Sequence, residues 1–173
     1  MSIYEKALKG LLRKTIILRF KNNNEFKKIV STLSNDEIEW LKELSNNNPY
    51  AQLNLGLMYK YGLGVEKDYK EAVRLYHLSA DHGNQYAQYY LGWMYHYGLG
   101  VDKDLKEAVR YYHLSAEQGN KIAQYYLGIM YCNGLGVERD YKEAVRYYYL
   151  SSDQGEIIAT FDLNLLHDIG KYI

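Results

Sequence analysis

The sequence predicts an all-α chain, a solenoid of antiparallel helix pairs with three full repeats and a capping helix at each end. Three observations carry this reading. The stretch "YGLGVEKDYKEAVR" from Tyr61 returns as "YGLGVDKDLKEAVR" from Tyr97 and as "NGLGVERDYKEAVR" from Asn133, a step of 36 residues. Ala51, Ala87, Ala123 and Ala159 keep that phase, as do Gly56, Gly92 and Gly128, and Tyr59, Tyr95 and Tyr131. The segments flanking each glycine pair are helical in pattern. A fixed period of roughly 20 to 50 residues marks a stacked array. The expected divisions are a helical N-terminal cap with a degenerate repeat over 1–48, repeats over 49–84, 85–120 and 121–156, and a C-terminal capping helix (a partial fourth repeat) over 157–173.

Residues 49–84 show the unit. Asn48 can cap a first helix, with Pro49 at the first helical position, where the missing N–H costs nothing. That helix is expected to run to about Lys60. Gly62 and Gly64 then permit backbone angles that other residues resist, and the chain turns. Asp68 is placed as the N-cap of a second helix, and Glu71 three residues later has the spacing of a capping box. Asp104/Glu107 and Asp140/Glu143 repeat the pair. The second helix runs to about Asp81, and Gly83 ends it as a left-handed C′ residue. Gly56 lies inside the first helix, where glycine costs about 1 kcal/mol relative to alanine. Its recurrence predicts a close helix contact, with Ala72, Ala108 and Ala144 as the small partners on the second helix.

The ends fit an array. "SNDEIEWLKELSNNN" carries a Ser34-x-x-Glu37 capping box and apolar Ile38, Leu41 and Leu44, so it reads as a degenerate second helix ahead of repeat one. Residues 2–20 form a further amphipathic pattern, interrupted by the β-branched run at 15–18. The asparagine runs Asn22–Asn24 and Asn46–Asn48 are expected to be turns. At the other end Ala159 and Leu163 stay in phase, and Asn164 stands where glycine is expected.

The glycine pairs have a competing reading as phosphate cradles. Such a loop follows a strand and carries a third glycine or a G-K-[ST] ending. Here both are missing, and one turn used three times is the simpler account. Composition excludes more. Twenty-one basic residues balance 21 acidic ones, which argues against whole-chain binding to nucleic acid. The balance is uneven: residues 1–30 hold eight Lys/Arg against Glu5 and Glu25, whereas residues 49–173 hold 12 basic and 15 acidic residues. Cys132 is the only cysteine, so no internal disulfide can form. With no secretory leader and no apolar membrane span, a cytoplasmic protein is expected.

The pattern A-Q-x-x-L-G-x-M-Y at 51–59, 87–95 and 123–131, followed by G-x-G-V and D-x-x-E-A-V-R, resembles the Sel-1-like repeat family, a branch of the tetratricopeptide-like α-solenoids. The resemblance covers about residues 49–160. It implies a right-handed superhelix of paired helices serving as a protein-binding scaffold, with one face of the first helices lining a concave groove. Some relatives staple their repeats with paired cysteines, which this sequence lacks.

Two stripes run along the first helix of each repeat. Ala87, Leu91, Met94 and Tyr95 are shared by all copies and are assigned to the core. The second stripe, Tyr86, Tyr89, Trp93, His96 and Tyr97, varies between copies: Tyr50, Leu53, Leu57, Lys60 and Tyr61 in repeat one, and Ile122, Tyr125, Ile129, Cys132 and Asn133 in repeat three. This second stripe is the candidate partner-binding groove, since aromatics offer rigid contact area with a polar handle. The alternative is that these side chains only fill space between repeats.

Enzymatic constellations are poor, and no catalytic residue, metal or cofactor is expected. The five histidines form no H-E-x-x-H pair. His77/Asp81 and His113/Glu117 stand four apart, a spacing that could hold a metal, but they are expected on a solvated face beside Arg74 and Arg110. His96 and Cys132 occupy equivalent positions one repeat apart, too far for a simple thiolate dyad. The leading expectation is a non-catalytic adaptor that binds a peptide or helix of a protein partner in the groove, with self-association through the solenoid ends as a further contact. The alternative is a membrane or nucleic-acid tether acting through residues 2–20, where Lys6, Lys9 and Arg13 share a face opposite Tyr4, Leu8 and Leu11. The acid-leaning array argues against nucleic acid.

Overall fold

The computed structural model describes residues 23–156, 158–160, 162 and 164. The expected helix over 2–20 and its basic face, and most of the segment beyond 164, lie outside the described residues. Among the described residues all regular structure is helical. The chain divides into two compact units, Met1–His82 and Gly83–Ile173.

The first unit holds α1 (Asn23–Val30), α2 (Asn35–Leu44), α3 (Pro49–Tyr61) and α4 (Tyr69–Asp81). Asn23 and Asn24 open α1 and do not form the expected turn. The physical reason is burial: Phe26 and Val30, four residues apart, pack with Ile38 and Leu41 of α2, and this outweighs the weak helix propensity of asparagine. In α2 the Ser34 box closes in both directions. The Ser34 N–H donates to Glu37 Oε2 at 2.8 Å, and the Glu37 N–H donates to Ser34 Oγ at 3.3 Å. The α3/α4 pair follows the predicted local chemistry. Asn48 Oδ1 accepts from the N–H groups of Tyr50 and Ala51, and Pro49 stands at the helix start. At the joint Gly62 takes φ 67°, and both its N–H and that of Leu63 turn back to Met58 O. Those donors are spent on closing the helix, as a turn requires and a phosphate cradle does not.

One expectation about the pair needs correction. Asp68 caps α4 through the N–H groups of Lys70 and Glu71, but Glu71 does not return to the cap. Its carboxylate instead takes a forked contact from Arg74, at 2.9 Å from Nε and 2.6 Å from Nη2. The Asp68 N–H is already donated to Tyr59 O at 3.0 Å, so the cap offers Glu71 no free donor and the charge-assisted fork takes its carboxylate. Gly56 does sit at the expected close approach, and the atoms nearest to a Cβ there belong to Tyr76. A Cβ there would lie 2.6 Å from the Tyr76 ring, and in the second unit a Cβ on Gly92 would lie 2.6 Å from Tyr112 and 3.1 Å from the carbonyl oxygen of Ala108, the expected small partner. The missing side chain makes room for an aromatic face.

The second unit repeats the pair twice. Its helices are α5 (Gln85–Tyr97), α6 (Leu105–Glu117), α7 (Lys121–Asn133) and α8 (Tyr141–Asp153), with helical residues again at 158–160, 162 and 164. Helix α6 packs on α5, α8 on α7, and α7 on α6, so repeats two and three stack directly. Ala87, Leu91 and Met94 are fully buried, as are Ala123, Leu127 and Met130. Tyr95, assigned to the core from sequence, is only half-buried and stacks on Tyr111 with ring centroids 5.7 Å apart. Inside each repeat a serine ties the second helix to the start of the first: Ser115 Oγ donates to Gln85 O at 2.6 Å and Ser151 Oγ to Lys121 O at 2.7 Å. Ala159 is fully buried against Ala144 and Tyr148.

Candidate functional site

Helix α5 carries no Asp, Glu, Lys or Arg, and α7 carries only Lys121. Each is apolar or aromatic nearly all round, so one face serves its own partner helix and another the neighbouring repeat. Between α5 and α7 this produces an aromatic cluster centred on Tyr126. Its ring stacks on Tyr112 of α6, with centroids 5.1 Å apart and planes 19° apart. It lies 6.0 Å from the Tyr89 ring and meets His96 edge-on at 6.1 Å. The Tyr126 hydroxyl faces the side chains of Tyr97, Trp93 and Tyr89. Trp93 and Tyr97 pack with ring centroids 5.0 Å apart, and His96 stacks on Tyr97 at 4.5 Å.

The electrostatics keep this cluster uncharged. Burial pushes the Tyr126 phenol up to about 12 and raises Tyr112 well above the ordinary phenol value. Burial, helped by Lys103, lowers His96 below the usual histidine value. At neutral pH the phenols therefore stay protonated and the imidazole neutral. The cluster can stack and exchange hydrogen bonds, and it presents no formal charge to a ligand.

The predicted groove residues divide three ways. Tyr86, Trp93 and His96 are half-buried and Tyr97 is 50% exposed, so repeat two keeps an accessible aromatic face. Tyr89 is buried inside the cluster, and Leu53, Leu57 and Lys60 are buried in the first unit. These four are corrected to packing positions, because a buried side chain offers no surface without rearrangement. Burial also pulls the Lys60 amine down to about 7. Its Nζ lies 4.9 Å from the centroid of the half-buried Tyr61 ring. Tyr50 is exposed. In repeat three, Tyr125 and Ile129 pack against Tyr148 and Ala159, while exposed Asn133 donates its amide to Ile129 O at 2.9 Å.

Sequence reasoning missed Tyr126 and Tyr112. Tyr112 is visible as a period, since Tyr76 and Tyr148 keep its phase. Tyr126 aligns with Tyr90 and Asn54, a variable position that would have flagged it. His113 is a further correction. It does not sit on a solvated face: it is half-buried, with one ring nitrogen 3.2 Å from the Tyr131 hydroxyl and the other 3.1 Å from that of Tyr147. Stacking of repeat three supplies both phenols. Among the described residues no group of three or more His, Cys, Asp or Glu side chains could hold a metal ion, and no helix is long and apolar enough to cross a membrane.

This repeated pair, with its glycine joint and its tyrosine over a helical glycine, is matched by the profile described as Sel1 repeat at residues 49–84, 85–120 and 121–156. The chain belongs to the Sel1 repeat family. Sel1 repeat proteins generally act as non-catalytic scaffolds that mediate protein–protein interactions. Similar solved structures include a protective antigen of uropathogenic Escherichia coli displaying an SLR fold, 36% identical over 78% of this chain with a TM-score of 0.76. A Sel1 repeat protein from Oxalobacter formigenes is 34% identical over 80% of the chain, with a TM-score of 0.70. The chain spans 29% and 53% of the lengths of those two proteins. Helicobacter pylori cysteine rich protein B, at 21% identity, shares the fold over 79% of this chain and 96% of its own, with a TM-score of 0.60. No curated protein matches the chain.

Proposed function

We propose that this Sel1 repeat chain is a non-catalytic adaptor, and that a segment of a protein partner lies on the aromatic face of repeat two with Trp93 and Tyr97 as its anchors. The observation that carries this is the variation at one position. Trp93 stands where repeat one has buried Leu57 and repeat three has Ile129, although the core positions Leu55, Leu91 and Leu127 do not change. Packing alone asks for no tryptophan there. Its indole faces the Tyr126 hydroxyl and is braced by Tyr97, which makes a pre-organised, half-open contact of the kind that dominates interfaces.

The test is one variant measured twice. Trp93→Ala is expected to cost about 2 kcal/mol or more of affinity for a partner isolated with the wild-type chain. Its loss of folding stability should stay below the roughly 3–5 kcal/mol of a fully buried tryptophan. A large loss of stability with unchanged affinity would return Trp93 to packing. A second reading, a tether for anionic surfaces, rests on the excess of eight basic over two acidic residues in 1–30. Salt separates the two: binding through residues 1–30 should weaken steeply as ionic strength rises, and binding through the uncharged aromatic face should not.

A further inference from the structure

His113 stands at the seam between repeats two and three. It belongs to α6, yet its Nε2 reaches the Tyr131 hydroxyl of α7 at 3.2 Å and its Nδ1 the Tyr147 hydroxyl of α8 at 3.1 Å. Both phenol rings meet the imidazole edge-on, at 6.0 and 5.7 Å, and they stack on each other at 5.7 Å. One side chain therefore ties repeat two to both helices of repeat three. In neutral imidazole one nitrogen donates and the other accepts, so the two hydroxyls play opposite parts. Protonation makes both nitrogens donors. Both hydroxyls must then accept, so the one that had been donating rotates its O–H outward, and a positive charge enters a half-buried seam beside Arg146.

We propose that His113 is an acid-sensitive latch that holds repeat three on repeat two when neutral and loosens α7 and α8 from α6 when protonated. The groups facing it are Tyr131 on α7, Tyr147, Arg146 and Glu143 on α8, and Glu117 on its own helix. Arg146, 4.1 Å from the Tyr147 ring centroid, opposes an imidazolium, whereas Glu117 and Glu143 favour one. Glu143 is already engaged by Arg146 at 2.8 Å. Burial outweighs the carboxylates, and the net direction is a folded-state value below the ordinary 6.5. The sign follows from proton counting. Between that lowered value and 6.5 the undocked state binds more protons, so the latch is fully effective above about pH 6.5 and is lost as pH falls. Tyr126 rides on α7 and meets Trp93 and Tyr97 of α5, so loosening the seam also disturbs the aromatic cluster.

The test uses the full chain. NMR titration of the imidazole signals should place His113 lower in the folded chain than in the same chain unfolded in urea. Hydrogen exchange, corrected for intrinsic rate, should then show amide protection in α7 and α8 falling between about pH 7 and pH 5. The fall should be on the order of tenfold for each unit by which folding lowers the His113 value. The fall should vanish in His113→Gln and persist in His96→Gln. The proposal is overturned if His113 titrates at the same pH in both states, or higher in the fold. It is equally overturned if the acid response survives in His113→Gln, or if it disappears only in His96→Gln and so belongs to the aromatic cluster.

Discussion

In repeats two and three a glutamine just beyond the second helix reaches back to the first. Gln118 Nε2 donates to Gln88 Oε1 at 2.7 Å, and Gln154 Nε2 donates to Gln124 Oε1 at 2.8 Å. Repeat one has His82 at that place, exposed, and its Gln52 Oε1 is buried without a hydrogen-bond partner. The backbone does not explain the difference, since φ and ψ are −87° and 13° at His82 and −86° and 7° at Gln118. A second contrast lies at the far end of the first helices, where repeat one places buried Lys60 and repeats two and three place His96 and Cys132. Repeat one thus keeps the architecture while leaving two polar groups in costly surroundings. The lesson is that the shared motif sets the helix pair, and side chains outside the motif set how well each copy is closed.

Substitutions test this difference between the repeats, and the largest effect is expected at Lys60. Its amine is held near 7 in the fold against an ordinary 10.5, so between those values the unfolded chain binds more protons. Stability should rise with pH across that window by up to about 1.4 kcal/mol per unit, and Lys60→Met should remove the slope while stabilising the chain at neutral pH. Denaturant midpoints at several pH values decide this; a slope that survives Lys60→Met would place its origin elsewhere.

Next come the helical glycines, where the repeats should behave alike. Gly56→Ala and Gly92→Ala each gain about 1 kcal/mol of helix propensity. Each also drives a Cβ to 2.6 Å from a fully buried tyrosine ring, and Gly92 has a carbonyl oxygen 3.1 Å away as well. Net destabilisation of about 2 kcal/mol is expected for both, measured by urea unfolding. Stabilisation instead would mean that the ring swings aside at little cost.

The glutamine position should act in opposite directions in the two regions. Gln118→His removes the partner of Gln88 and should cost about 1 kcal/mol. His82→Gln supplies Gln52 with its missing donor and should stabilise by about 0.5–1 kcal/mol, read as a raised thermal midpoint. Two changes of the same sign would show that the amide bridge is not what separates the repeats.

The helix pairs were legible from sequence because their signals are local. Asn48 and Asp68 cap the helices they precede, and Gly62 and Gly83 take the positive φ their positions ask for. Ser34 and Glu37 close their box within four residues. These are interactions between neighbours in the chain, so spacing is enough to predict them. The period likewise exposed the repeated helix pair, because each copy must bury the same faces.

What the sequence could not determine is which side chains meet across helices that are distant along the chain. The Tyr76 ring fills the space above Gly56, because the angle and rotation of the packed pair decide which second-helix side chain arrives there. Tyr126 reaches Trp93, and His113 finds two phenols, only because repeat three docks on repeat two. The same docking turns Tyr89 from a wall of the candidate groove into its packing, while Tyr97 keeps half its surface. A 36-residue period states that equivalent residues recur. Tertiary packing, which trades exposed area for close contact residue by residue, decides which of them remain available to a partner.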